Sequence, residues 1–89
     1  MIYKLKSGFM IRKIGDQIMA VPVGARTSHI HGMIALNESG ELMWKALEAG
    51  AEAEALAELL VENYEIDKPT ALADVQGFLK GLELQGALE

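Results

Sequence analysis

A strand that gives way to a helix within one residue constrains this chain more than any other feature. In the run GMIALNESGELMWKAL, residues 32–47, the apolar stretch Met33-Ile34-Ala35-Leu36 ends at Asn37. A pattern of period 3.6 starts immediately after it. Asn37 has the side chain that caps a first helical turn, and Glu38 and Glu41 fall where the helix dipole is positive. Gly40, Met43, Trp44 and Leu47 then recur at i, i+3, i+4 and i+7, a buried stripe that includes the only tryptophan. Upstream of Asn37 the chain reads as strands, and downstream as helices.

The upstream half begins with two strand-like runs, residues 9–14 (FMIRKI) and 17–21 (QIMAV), joined by Gly15-Asp16. Two polar residues including glycine between such runs predict a hairpin. Pro22 ends the second run because it has no N–H for a ladder. Residues 23–32 form a loop, and residues 33–36 a third strand. Three short strands bury little by themselves, so one face of the sheet must lie on helices.

The downstream half predicts three helices. The first runs over about residues 38–48 and stops at Gly50, a candidate left-handed C-terminal cap. The second covers roughly residues 52–63, with Leu56, Leu59, Leu60 and Tyr64 inward and Glu54, Glu58 and Glu62 on the solvent side. The third starts after Asp67, an N-cap, with Pro69 tolerated in the first turn. Its core stripe is Ala71, Leu72, Val75, Phe78, Leu79 and Leu82; Gly86 ends it and Leu88 folds back. The fold class is α+β: a three-stranded antiparallel sheet followed by three helices. At 89 residues it is a single domain spanning 1–89.

Composition excludes several functions. There is no cysteine, hence no disulfide, thiolate nucleophile or iron–sulfur ligand. No run approaches the roughly 18 apolar residues of a membrane span. The N-terminal MIYKLKSGF lacks the apolar block of a signal peptide, so the expected location is cytoplasmic. Charge divides at the same junction. Residues 1–36 carry five basic residues against Asp16 alone, a net +4, and residues 37–89 three lysines against twelve acids, a net −9. A helical half so acidic argues against phosphate contacts and nucleic acid.

His29-Ile30-His31 offers two nitrogen ligands without a third partner, which is short of a metal site. The carboxylates fall on caps or solvated faces, and Ser7, Ser28, Ser39 and Thr27 have no nucleophile context. The expectation is a protein that is not an enzyme and uses no cofactor and no metal. One feature of the third helix is unusual. Gly77 and Gly81 stand at i, i+4 inside it and together cost about 1–2 kcal/mol relative to alanine. On the wheel they align with Thr70 and Asp74, beside Val75 and Phe78. That lane either packs tightly against a neighbouring element or opens as a peptide groove.

The runs LNESGELMWKAL, ALAELLVENYEID and ALADVQGFLKGLELQGAL together resemble the PqqD family, and GFMIRKIGDQIMAVPVG resembles the N-terminal hairpin of its stand-alone relatives. The combination LNE-x-G, aromatic-x-x-L, Y-x-(I/V)-D and ADV-x-x-FL carries the resemblance. It implies a small winged-helix-like domain that acts as a peptide chaperone. Such a domain holds the leader segment of a ribosomally made precursor peptide and presents it to a modifying enzyme, often a radical S-adenosylmethionine maturase. The leader adds as a strand beside the third strand and lies along the third helix. Transferred to this chain, the edge strand is Met33, Ile34 and Ala35, and the helix wall includes Asp74, Val75 and Phe78. With Gly32 before the strand and the lane of Thr70, Gly77 and Gly81, these are the candidate peptide-binding residues. Relatives tend to carry alanine or charged residues at Gly77 and Gly81, so this groove is expected to be wider. Residues 25–31 match nothing that can be transferred. The alternatives are a DNA-binding winged-helix regulator and a scaffolding subunit with no groove; a homodimer also stays open.

Overall fold

The computed structural model describes residues 1–23 and 33–89. In chain order these form β1 (Ile2–Tyr3), β2 (Phe9–Ile14), β3 (Gln17–Pro22), β4 (Ile34–Leu36), α1 (Glu38–Ala49), β5 (Ala51–Glu52), α2 (Ala53–Asn63) and α3 (Lys68–Leu84). β2, β3 and β4 make one antiparallel sheet in that order, which is the expected α+β architecture. β1 and β5 add a two-stranded ribbon that the sequence pattern does not announce. Among the described residues no helix is long and apolar enough to cross a membrane.

The hairpin turn is Gly15-Asp16. Gly15 has φ +62°, while no non-glycine residue among those described has positive φ. Positive φ at the first central position alone is the type II′ pattern, whose twist suits a two-residue hairpin. The register pairs Phe9 with Pro22 through Ile14 with Gln17. One step beyond, the Val23 N–H donates to the Gly8 carbonyl at 2.8 Å.

The junction folds as its sequence demands. Asn37 Oδ1 accepts from the Gly40 N–H at 2.7 Å and from the Ser39 hydroxyl at 3.0 Å. Gly40, Met43, Trp44 and Leu47 are all buried. The Trp44 ring is 1% exposed and meets Phe9 edge-on, centroids 5.3 Å apart at 80°. This contact ties the hairpin to α1 and so joins the two halves of the chain. Leu56, Ala57 and Leu60 of α2 and Ala71, Val75, Leu79 and Leu82 of α3 join the core, with Leu5, Ala20, Leu36 and Ala87.

Three local expectations are corrected. Tyr64 is exposed rather than buried, because the chain turns extended there and swings the ring out of the α2 stripe. α2 begins one residue later than expected, since Glu52 is held in the ribbon opposite Ile2. Gly50 ends α1 at φ 101° and ψ 133°, outside the left-handed helical region, with its N–H on the Leu47 carbonyl. Gly86 does end the last helical turn at positive φ, and Leu88 folds back to bridge Leu5. Lys68 reaches Glu54 at 3.2 Å and Glu58 at 3.8 Å, which relieves the like-charge spacing along α2.

Asp67 caps α3, its carboxylate accepting from the Thr70 N–H at 3.0 Å. Bonds from the Thr70 side chain and then its backbone hold the Asp67 carboxyl below its ordinary value. Because the folded state prefers the ionised form, that stabilisation is present above the unfolded value of 3.8 and is lost as pH falls below it. Asparagine caps equally well but does not titrate. Thermal melts taken from neutral pH down into acid should therefore show wild type losing more stability than Asp67→Asn. Parallel curves would mean that the cap contributes nothing that depends on pH.

Candidate peptide-binding edge

An antiparallel ladder alternates residues that bond across it with residues that face away, so one known bond fixes the phase of the whole sheet. The Val23–Gly8 bond marks the pair 8/23 as directly bonded. With the register of β2 and β3, Gln17, Met19 and Val21 then aim their backbone groups at β2, and Ile18 and Ala20 aim theirs at β4. Ile18 pairs with Leu36 and Ala20 with Ile34. Ile34 and Leu36 therefore spend their N–H and C=O on β3, whereas Ala35, and Met33 by the same parity, present theirs to the open side. Among the described residues β4 is bonded on one side only.

Side chains follow the complementary alternation. Leu36 is buried and Ile34 half-buried on the core face, while Ala35 is exposed and Met33 is 55% exposed. The Asn37 carbonyl is already engaged by the Glu41 N–H at 2.9 Å, so the open row ends where α1 begins. A shallow hollow of about 430 Å³ lies at this end, lined by Asp16, Gln17, Ile18, Ala35, Leu36 and Asn37.

α3 comes alongside through Phe78. A β-carbon built on Gly40 would lie 3.0 Å from Asn37 Oδ1, 3.4 Å from Phe78 Cε1 and 3.5 Å from Leu36 Cδ2. Glycine at position 40 thus lets the Phe78 ring reach the foot of β4. Half-buried Phe78 borders an exposed strip of α3 that contains Thr70, Asp74, Gly77 and Gly81. A β-carbon added at Gly77 or Gly81 would meet nothing within 4 Å among the described residues. Tight packing of the lane against a neighbouring described element is thereby excluded.

Of the residues singled out from sequence, the structure brings Ala35 and Met33 to the open edge and Thr70, Asp74, Gly77 and Gly81 to one solvent-facing strip. Phe78 is the link between strip and strand. Ile34 faces inward in both backbone and side chain. Val75 is fully buried, so it backs the helix from inside rather than lining a groove. Gly32 lies outside the described residues, as do His29 and His31. Sequence reasoning missed Leu36, Gly40, Asp16 and Gln17. The first two sit in the junction motif, where period alone explains them. The last two reach the edge only through the hairpin register. Asp16 lines the hollow and Asp74 lies in the exposed strip, and both are negative.

The family model for coenzyme PQQ synthesis protein D (PqqD) matches residues 24–88. No curated protein matches the sequence. Three solved structures share the fold. TbiB1 in complex with the TbiA(beta) leader peptide has a TM-score of 0.75 at 23% identity, covering 97% of this chain and 94% of that one. Lasso peptide synthetase B1 complexed with its leader peptide has a TM-score of 0.76 at 17% identity, covering 98% and 96%. The third is the solution structure of the PqqD truncation of Methylobacterium extorquens PqqCD, described as a stand-alone recognition element for ribosomally synthesized, post-translationally modified peptides. Its TM-score is 0.74 at 18% identity, covering 99% and 88%.

Proposed function

Since the chain belongs to the PqqD family, we propose that it is a peptide chaperone that binds the leader segment of a ribosomally made precursor by strand addition and presents it to a modifying enzyme. The observation that carries this reading is the phase of β4: Ala35 and Met33 turn their backbone groups away from β3, where no described residue pairs with them, with the Phe78 ring of α3 at the foot of the strand. An added strand takes its affinity from those backbone bonds and its specificity from alternate side chains reaching toward α3. Two of the structural neighbours are themselves complexes with leader peptides. In this reading the chain binds and orients, and the chemistry belongs to a partner, such as a radical S-adenosylmethionine maturase. The negative charges at Asp16 and Asp74 favour a leader with a basic residue near either end of the bound stretch.

A DNA-binding role has little to rest on. α3 carries only Lys68 and Lys80, and Lys68 is engaged with Glu54 and Glu58. Titration of labelled protein with N-terminal segments of short precursor peptides, and separately with duplex DNA, tests the proposal. Leader binding should perturb the amide resonances of residues 33–36 and of the α3 strip, and DNA should perturb neither near physiological salt. A DNA-dependent shift, or leader-induced changes confined to another face, would overturn it.

The glycine strip gives a second test. Gly77→Leu and Gly81→Leu enter space that no described residue fills and replace a poor helix former, so each should hold or raise the melting temperature, by up to about 1 kcal/mol of stability. Leader affinity should fall at the same time, by roughly tenfold or more if the inserted side chain removes about 1.4 kcal/mol of contact. Unchanged affinity in both variants would show that the peptide does not run along this strip.

A further inference from the structure

The same hydrogen-bond phase exposes a second edge. With 8/23 directly bonded, Met10, Arg12 and Ile14 face β3, and Phe9, Ile11 and Lys13 turn their N–H and C=O away from it. β2 is the terminal strand of its sheet, and no backbone bond among the described residues reaches those three from the other side. This edge is six residues long, twice the length of β4. A long unpaired edge is a template for another strand.

We propose that β2 pairs with β2 of a second copy of this chain, antiparallel about a two-fold axis at Ile11, to make a continuous six-stranded sheet. The sequence of the strand selects that register. Centred on Ile11, it matches Phe9 with the partner's Lys13 and Ile11 with the partner's Ile11, so every outward N–H and C=O of the strand is used. Met10 stands opposite the partner's Arg12, and Ile14, 56% exposed in the single copy, stands opposite the partner's Gly8, which has no side chain to collide with. Each cation therefore faces an apolar side chain. Centring on Arg12 instead would set Arg12 directly against the partner's Arg12, and like charges placed opposite each other destabilise a ladder. Centring on Met10 leaves Lys13 beyond the strand pairing. The contact is isologous and consumes both β2 edges, so it closes at two copies and does not propagate. It leaves β4 free on each copy, and so does not rest on the peptide-binding reading.

An edge-to-edge contact is small, which places the association among weak, concentration-dependent pairs. On the outer face the Arg12 side chains of the two copies are diagonal neighbours, and salt screens their repulsion. The mass of the unmodified chain in sedimentation equilibrium should therefore climb from 9.7 kDa toward twice that value with concentration, and climb further as salt is added. The register is read by crosslinking, because the chain has no cysteine of its own. Met10 and the partner's Arg12 form a non-bonded pair, with α-carbons about 4.5 Å apart, inside the range a disulfide spans. Both positions are exposed, so Met10→Cys and Arg12→Cys are expected to fold. When the two variants are mixed in a glutathione buffer, where oxidised glutathione is the oxidant, the mixed disulfide should exceed either homodisulfide by tenfold or more. A statistical mixture, a preference for either homodisulfide, or a single 9.7 kDa species up to millimolar protein would overturn the proposal.

Discussion

Proline at Ala35 should weaken leader binding and leave the fold standing, whereas proline one residue earlier should destabilise the fold. The Ala35 N–H points away from β3, so Ala35→Pro removes a donor that no described residue engages. Losing that bond to an incoming strand, together with the intrusion of the ring into its path, is worth about 1–3 kcal/mol, or a Kd weaker by roughly 5-fold to 150-fold. Met33→Pro belongs to the same class by parity. The Ile34 N–H points at Ala20, and its half-buried side chain packs on the core. Ile34→Pro therefore breaks the β3–β4 ladder and should cost about 2–5 kcal/mol of stability, as the loss of a partly buried aliphatic residue and a ladder bond does. Circular dichroism and thermal melts separate the classes, and calorimetry with a leader peptide reads the affinity. If Ala35→Pro folds and still binds a leader at wild-type affinity, the peptide is not held by strand addition at this edge.

The largest stability effect is expected at Trp44. Its ring is essentially inaccessible, shares a buried stripe with Met43 and Leu47, and receives the edge of Phe9 from the hairpin. Trp44→Ala empties the point where the strand half meets the helical half. Replacement of a buried large aromatic by alanine costs about 3–5 kcal/mol, which for a domain of this size lowers the melting temperature by more than about 10 °C. Trp44→Phe should recover part of the loss, because an aromatic ring remains to meet Phe9. A Trp44→Ala variant that melts at the wild-type temperature but no longer binds peptide would reassign Trp44 from the core to the binding site.

The elements most legible from sequence are those whose signals are local. Asn37 caps α1 because its short side chain reaches the Gly40 N–H three residues along, in the first turn, and nothing distant is needed. Asp67 caps α3 in the same way. The stripe Gly40, Met43, Trp44 and Leu47 is buried as its spacing dictates, since a helix has only one face to offer. Tyr64 shows the limit of that logic. It continues the α2 spacing by number, but the helix has already ended, and a residue in extended backbone no longer obeys the helical period.

The binding edge divides along the same line. Its strand and helix could be named from the junction motif and from the glycines of α3, because composition and spacing reveal where side chains are missing. One fact about it depends on contacts between residues far apart in the chain: the emptiness beside Gly77 and Gly81 is a property of what the other described elements leave uncovered. Val75, put on the wall by resemblance, is buried as its place in the α3 core stripe already implied.

The sequence by itself determined the α+β division at Asn37, the hairpin about Gly15-Asp16, the N-caps Asn37 and Asp67 and most of the core stripe. Each of these is set within one turn of helix or one tight turn of strand. Tertiary structure alone decided that residues 2 and 3 pair with residues 51 and 52, that Leu5 bridges Leu88, and which backbone groups of β4 and β2 face outward. The reason is that strand pairing depends on register between segments distant in sequence, and alternation along a strand has two equivalent phases until one cross-strand bond selects between them.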